Sequence, residues 1–361
     1  MCRSSPSGEN PVREVAVVSF AQSAARQERA RNEVEILMPV VTQAVEESGI
    51  PRHEIGFTCS GSCDYLAGQA FSFVSAIDAL GAWPPIAESH VEMDAAWALY
   101  EAWAKIQCGM ADSALVFGFG KSSPGEIRDV LTLQLDPYYL APLWPDTVSL
   151  AAIQARVLLE SGKASERDLA EVAARSRRDA AANPSAHQRD PAGVDELLAR
   201  DYLVSPLRVH DCAPISDGAA AVVLAAGDLA RKVCDRPAWI RGIDHRIEPH
   251  ALGLRDLATS PSTRLAAEKA GLGSVPPEVA ELHAPFTSQE LILREALSLD
   301  AGVRVNPSGG ALGANVVMAA GLVRIGEAAR SIRDGEASRA LAHATSGPCL
   351  QQNLVCLLEA E

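Results

Sequence analysis

The chain is short of positive charge. Lysine and arginine number 32 against 46 acidic residues, which leaves a formal charge of −14 and argues against a large nucleic-acid footprint. An anionic ligand would need a local basic patch inside this acidic shell. No run approaches the ~18 apolar residues that cross a bilayer, and the opening "MCRSSPSGENP" has no apolar signal core. The expectation is a cytoplasmic protein without membrane contact. A disulfide framework is lacking too: Cys2, Cys59, Cys63, Cys108, Cys212, Cys234, Cys349 and Cys356 are scattered through a chain too long to need one. Cys59 and Cys63 have no second pair to complete a zinc set, so no metal is expected. The "GGALG" stretch (309–313) lacks the Gly-Lys-Ser ending of a phosphate loop.

What is present is an ordinary globular composition, 48% hydrophobic and 22% charged over 361 residues, enough for about two domains. "EVAVVSFAQS" (14–23) reads as a strand, and "RNEVEILMPVVTQAVEESGI" (31–50) as a helix closed by Pro51. "EIGFTCSG" (54–61) predicts a second strand and residues 66–81 a second helix. Residues 90–120 then run from a short extended piece through a helix to the apolar strand "SALVFGFG". Continuously apolar strands alternating with helices predict a sheet covered on both faces. From about 121 to 203 the pattern turns prolines-first and then helical, an inserted subdomain, before strand patterning resumes at "SPLRVHDCAPISDGAAAVVLA" (205–225). The stretches 100–123 and 324–347 echo each other as helix, turn and apolar strand, the mark of two similar halves.

Three ordered stretches resemble pieces of thiolases: residues 205–225, "VNPSGGALGANVVMAAGL" (305–322) and the helix–turn–strand after Asp94. The nearest resemblance is to the sterol-carrier-protein-like, or "lipid-transfer protein", branch, whose loop-domain helix is similar to "AARSRRDAAANPSAHQ" (173–188). Spanning nearly the whole chain, the resemblance implies an α/β thiolase fold, layered αβαβα. Its N-terminal half would be residues 12–120 completed by about 204–235, its helical loop subdomain 121–203, and its C-terminal half 236–361. It also implies an acyl-CoA ligand, with coenzyme A entering as part of the substrate and no covalently bound cofactor.

The family's chemistry needs a cysteine thiolate at a helix N-terminus, where the dipole and amides stabilise it. The matching position here is Asp94, and a carboxylate cannot form the acyl thioester, so thiolase turnover is not expected. In "ELHAPF" (281–286) His283 matches, with Ala284 where the family keeps an acid. Asn315 replaces the motif histidine that the family places before the glycine helix. In "AHATSGPCLQQN" (342–353) His343 matches the branch's histidine and Cys349 follows. His283 and Asn315 would suit an enolate, as donors to a thioester oxygen. Asp94 would be a base if burial raised its pKa, or simply a helix N-cap. His283 could equally be a core histidine and Asn315 a cap. Ser308, Gly309 and Gly310 would let the chain pass close to the pantetheine arm. Arg175, Arg177 and Arg178 would meet the CoA phosphates or form a solvated face. Should a tyrosine act, Tyr65, Tyr138 and Tyr139 are the candidates.

The resemblance therefore implies a subunit of a retro-aldolase that cleaves a 3-hydroxyacyl-CoA of the steroid side-chain type. The alternative is a non-catalytic subunit supporting an active thiolase-like chain; a thiolase working through Cys349 ranks behind both. Implied partners are a second copy or a second thiolase-like chain, together with an OB-fold acyl-CoA-binding protein.

Overall fold

A computed structural model describes residues 13–361. Cys2, the opening stretch and the first residue of the expected N-terminal half lie outside the described residues. In the N-terminal half, β1 (Val15–Ala25) is buried along its first seven residues, which is why it reads as an unbroken apolar run. Helix α1 (Glu33–Ser48) starts in a capping box between Asn32 and Glu35 and stops at Gly49, whose φ of 67° is left-handed. After β2 (Phe57–Gly61), the helix expected over 66–81 is instead two, α2 (Asp64–Ala67) and α3 (Ser72–Leu80). The Asp64 carboxylate explains the break: it accepts from the amides of Phe71 and Ser72, both at 2.9 Å, and so ties the turn back on itself. β3 (Glu88–Val91), α4 (Ala95–Gln107) and β4 (Ser113–Lys121) follow.

The insertion holds α5 (Ile127–Leu133), α6 (Thr147–Glu160), α7 (Glu166–Ala180), α8 (Val194–Leu198) and the hairpin β5 (Tyr202–Val204) and β6 (Leu207–Arg208). β7 (Ile215–Ala226) returns to the first sheet and α9 (Gly227–Val233) leaves it. The second half comprises β8 (Ala238–Ile247), α10 (Pro261–Lys269), β9 (Val279–Leu282), α11 (Thr287–Ala296), β10 (Arg304–Val305), α12 (Gly310–Gly313), β11 (Asn315–Val316), α13 (Ala320–Arg333), β12 (Arg339–Ser346) and β13 (Gln352–Glu359).

Strand order makes the two halves images of each other: β1-β7-β4-β2-β3 in one and β8-β13-β12-β9-β10 in the other, with β1 and β8 adjacent. One core joins the inner faces of both halves around α4 and α13, through residues such as Val222, Leu99, Ile325 and Cys356. The outer face of the first half is covered by α1 and α3, and that of the second by α10 and α11. The result is the expected mixed α/β fold in five layers, αβαβα, with the insertion set over the edge where α4 and α13 begin. No helix among the described residues is long and apolar enough to cross a membrane.

Candidate functional site

A cavity of about 870 Å³ opens where the insertion meets the N-termini of the two central helices, a size in the upper part of the usual range for ligand pockets. Its apolar wall comes from α5 and α6, through Ile127, Leu131, Val148 and Leu150, and from Phe286 and Met318. Its polar residues include Asp94, His187, His283 and Asn315, while Arg26, Arg128, Asp136 and His250 also border it. Segment 316–318 reaches this position because β4 ends in glycines. A Cβ on Gly118 would lie 2.5 Å from the Met318 carbonyl oxygen, and one on Gly120 would lie 2.3 Å from that of Val317. The Met318 carbonyl in turn accepts from the Ala95 amide at 2.9 Å, which docks the segment on the start of α4.

Asp94 stands at the N-cap of α4 and is almost wholly buried. Its Oδ1 accepts from the amides of Ala96 at 2.9 Å and Leu322 at 3.2 Å, and its Oδ2 from Gly321 at 2.9 Å. One carboxylate thus caps both central helices. Burial pushes its pKa up, against the pull of those three amides and of Arg324. To serve as the base considered from the sequence, Asp94 would have to share oxygens already held by three donors. The carboxylate caps α4, as one of the two readings expects.

His283 and Asn315 are brought together. His283 Nδ1 accepts from the Thr345 amide at 3.4 Å, so Nε2 carries the proton and donates to Asn315 Oδ1 at 3.1 Å. That assignment leaves the two amide hydrogens of Asn315 for a ligand in the cavity. Burial, with Arg324 nearby, holds the His283 ring down at about 4, so it stays neutral at pH 7. Asn315 sits on β11, which pairs in parallel with Ile215 and Ser216 of β7, and its backbone amide donates to Ser216 Oγ at 2.9 Å. On the other side of that hydroxyl is His187 Nε2, at 2.7 Å. His187, Ser216 and Met318 were not singled out in the sequence. His187 lay in plain view in the "NPSAHQ" turn, but nothing local relates it to Asn315.

Of the other expected site residues, Cys349 lines the cavity and the rest lie outside its wall. His343 is fully buried on the outer face of the second half, with Nε2 3.0 Å from Asn353 Oδ1, and does not line the cavity. Arg175 turns inward to Glu290, 2.6 Å away; Arg177 donates to the Asp190 carbonyl at 3.3 Å; Arg178 is exposed beside Asp179. None of the three lines the cavity. Ser308 is bound through its amide and hydroxyl to Glu281, and Gly309 lies against Ala180 of α7, so the glycine loop serves helix packing. Tyr65, Tyr138 and Tyr139 are exposed and outside the cavity wall. Cys349 does line it, with Sγ 3.4 Å from the Leu150 carbonyl oxygen, but burial pushes its thiol up to about 11. Cys212, the other thiol in the wall, is pushed up to about 12 for the same reason. Both are therefore protonated at pH 7 and weak nucleophiles.

No family model matches the chain. It is 32% identical over 149 residues to the benzoylsuccinyl-CoA thiolase subunit BbsB of Thauera aromatica, an alignment covering 40% of this chain and 38% of that one. An acetyl-CoA acetyltransferase of Methanocaldococcus jannaschii is 26% identical over 88% of this chain and 89% of its own length. Sterol carrier protein 2 of Gallus gallus is 26% identical over 83% of this chain and 63% of its own. Among solved structures, the Ltp2-ChsH2(DUF35) aldolase superposes with a TM-score of 0.80 at 20% identity, over 96% of this chain and 98% of the other. The fold is that of thiolases, and thiolases and sterol carrier protein 2 are among its homologues. For BbsB and for sterol carrier protein 2 the match spans less than two thirds of the relative's own length.

Proposed function

We propose that this chain is an acyl-CoA-binding, thiolase-fold subunit of a retro-aldolase that cleaves a 3-hydroxyacyl-CoA, with a bulky acyl group of the steroid side-chain type. The observation that carries the reading is the Asn315 amide, oriented by a neutral His283 on the wall of an 870 Å³ cavity that is otherwise largely apolar. Retro-aldol cleavage needs a donor for the enolate oxygen and a base for the hydroxyl proton, but no covalent nucleophile. This agrees with a carboxylate at the helix entrance and with cavity thiols that stay protonated. The bulky apolar wall suits a ring-bearing acyl group better than an acetyl group. Arg26 and Arg128 on the rim are the cations best placed to meet CoA phosphates. The likeness to an aldolase of two components, and to a thiolase subunit, supports a complex with a second chain.

The test is Asn315→Ala, assayed on a 3-hydroxyacyl-CoA with a steroid acyl group. Turnover should fall by about 10²–10³-fold, the usual loss for one oxyanion donor, while acyl-CoA affinity changes little. Turnover at the original rate would sink the reading. A second reading, a non-catalytic subunit that supports an active partner, draws on the engagement of Asp94 by three backbone amides. It requires that the Asn315 variant leave the activity of an assembled complex untouched.

A further inference from the structure

We propose that His187 is the acid–base residue of this cavity, taking the substrate's hydroxyl proton and returning it to carbon; the inference rests on the retro-aldol reading above. His187 lies in the loop after α7, and the insertion is pinned there to the segment that carries Asn315. The backbone amides of His187 and Gln188 both donate to the Gly313 carbonyl, at 3.1 and 3.0 Å. Its ring is fixed by Ser216. That hydroxyl accepts from the Asn315 amide at 2.9 Å and has the Pro214 carbonyl, 3.4 Å away, as an acceptor for its one hydrogen. With His187 Nε2 only 2.7 Å from the same oxygen, all three bonds hold together when Nε2 carries the proton and donates. Nδ1 is then left with its lone pair, on a ring that lines the cavity. Two hydrogen bonds link this ring to the Asn315 backbone, and both residues line the one cavity.

Burial, with Arg26 and Arg189 the charges facing the imidazole, lowers the His187 pKa and favours the neutral state a base requires. Asp94, held by three amides, leaves this role open. In the step itself, Nδ1 accepts the 3-hydroxyl proton as the C2–C3 bond breaks. The bonding pair passes into the thioester as an enolate, whose oxygen is met by the Asn315 amide, and C3 becomes a carbonyl carbon, of a ketone where the alcohol is tertiary and of an aldehyde where it is secondary. The imidazolium then delivers its proton to C2, which releases the shortened acyl-CoA and restores neutral histidine.

Exchange of the C2 hydrogens of acetyl-CoA in D₂O, followed by mass spectrometry, isolates this proton transfer from bond cleavage. The unmodified protein should exchange them, more slowly at low pH as the imidazole protonates. His187→Gln, which retains a donor toward Ser216, should lower the rate by ~10²-fold or more, remove that acid limb, and leave acetyl-CoA affinity within about threefold. Ser216→Ala, which keeps the imidazole and removes its tether, should fall between the two. Exchange by His187→Gln at the original rate, or binding of acetyl-CoA without exchange by the unmodified protein, would overturn the assignment of His187 alone. Failure of the unmodified protein to bind acetyl-CoA at all would overturn this inference, and failure to bind a steroid acyl-CoA as well would overturn the acyl-CoA reading with it.

Discussion

His283 and His343 are both buried and both kept neutral, yet only His283 lies in the cavity wall. Burial is the main cause in each case, and it lowers their pKa values from 6.5 to about 4 and about 3. A group whose pKa falls on folding binds more protons in the unfolded chain between the two values. The stability these rings contribute is therefore complete above pH 6.5 and is lost as pH falls toward 4 and 3. At ~1.4 kcal/mol per pKa unit, each is worth a few kcal/mol. His343→Gln, which takes one titration away, should flatten the fall in urea midpoint between pH 6.5 and 4 relative to the unmodified protein. Parallel curves would mean that His343 is not held neutral by the fold.

Helices α4 and α13 start side by side and share one cap, because Asp94 accepts from Ala96 at one N-terminus and from Gly321 and Leu322 at the other. Gly321 is what allows the approach: a Cβ there would lie 2.6 Å from Asp94 Oδ1 and 2.6 Å from the Ala344 Cβ. Gly321→Ala should therefore cost about 1–3 kcal/mol by overpacking, and ~1 kcal/mol more if the cap is displaced. Urea unfolding would register both; unchanged stability would remove the shared cap as a structural element. The sequence pattern made the strands legible because β1, β4 and β7 are buried on both faces and so are apolar without alternation. It also placed Asp94 at a helix start and put His283 and Asn315 in motifs that converge. The break between α2 and α3 was not legible, since it depends on one carboxylate closing a turn seven residues away. His343 stays out of the cavity wall for a strand-specific reason. It alternates with Ala342 and Ala344, which face the shared core, so it must face outward; motif matching carries no information about which face of β12 meets the cavity. His187 belongs to a polar loop, and its relation to Asn315 arises only in the folded chain, through the β7–β11 pairing and the bonds of the His187 and Gln188 amides to Gly313.

At the scale of the whole molecule, the charge of −14 opposes an anionic ligand, so the proposed acyl-CoA would have to be met by local positive charge. Arg26 and Arg128 border the cavity, though Arg128 is already paired with Asp146 at 2.7 Å. Large apolar side chains stand exposed beside that rim: Tyr138, Leu143 and Trp144 follow directly on the cavity-lining α5 segment and are more than half exposed. A binding surface that is sparsely charged and bordered by uncovered apolar groups is what a subunit completed by a second chain would present. Calorimetric titration with a steroid acyl-CoA separates the alternatives. The isolated chain should bind with a Kd inside the ~1 µM–1 mM span usual for enzyme substrates, and a co-purifying partner should tighten that binding by covering the exposed rim. Tight binding that a partner does not alter would make the chain self-sufficient for substrate capture. Binding by the pair but never by the chain alone would transfer the acyl-CoA site to the partner and favour the supporting role, because a cavity that captures no ligand has no use for the Asn315 amide.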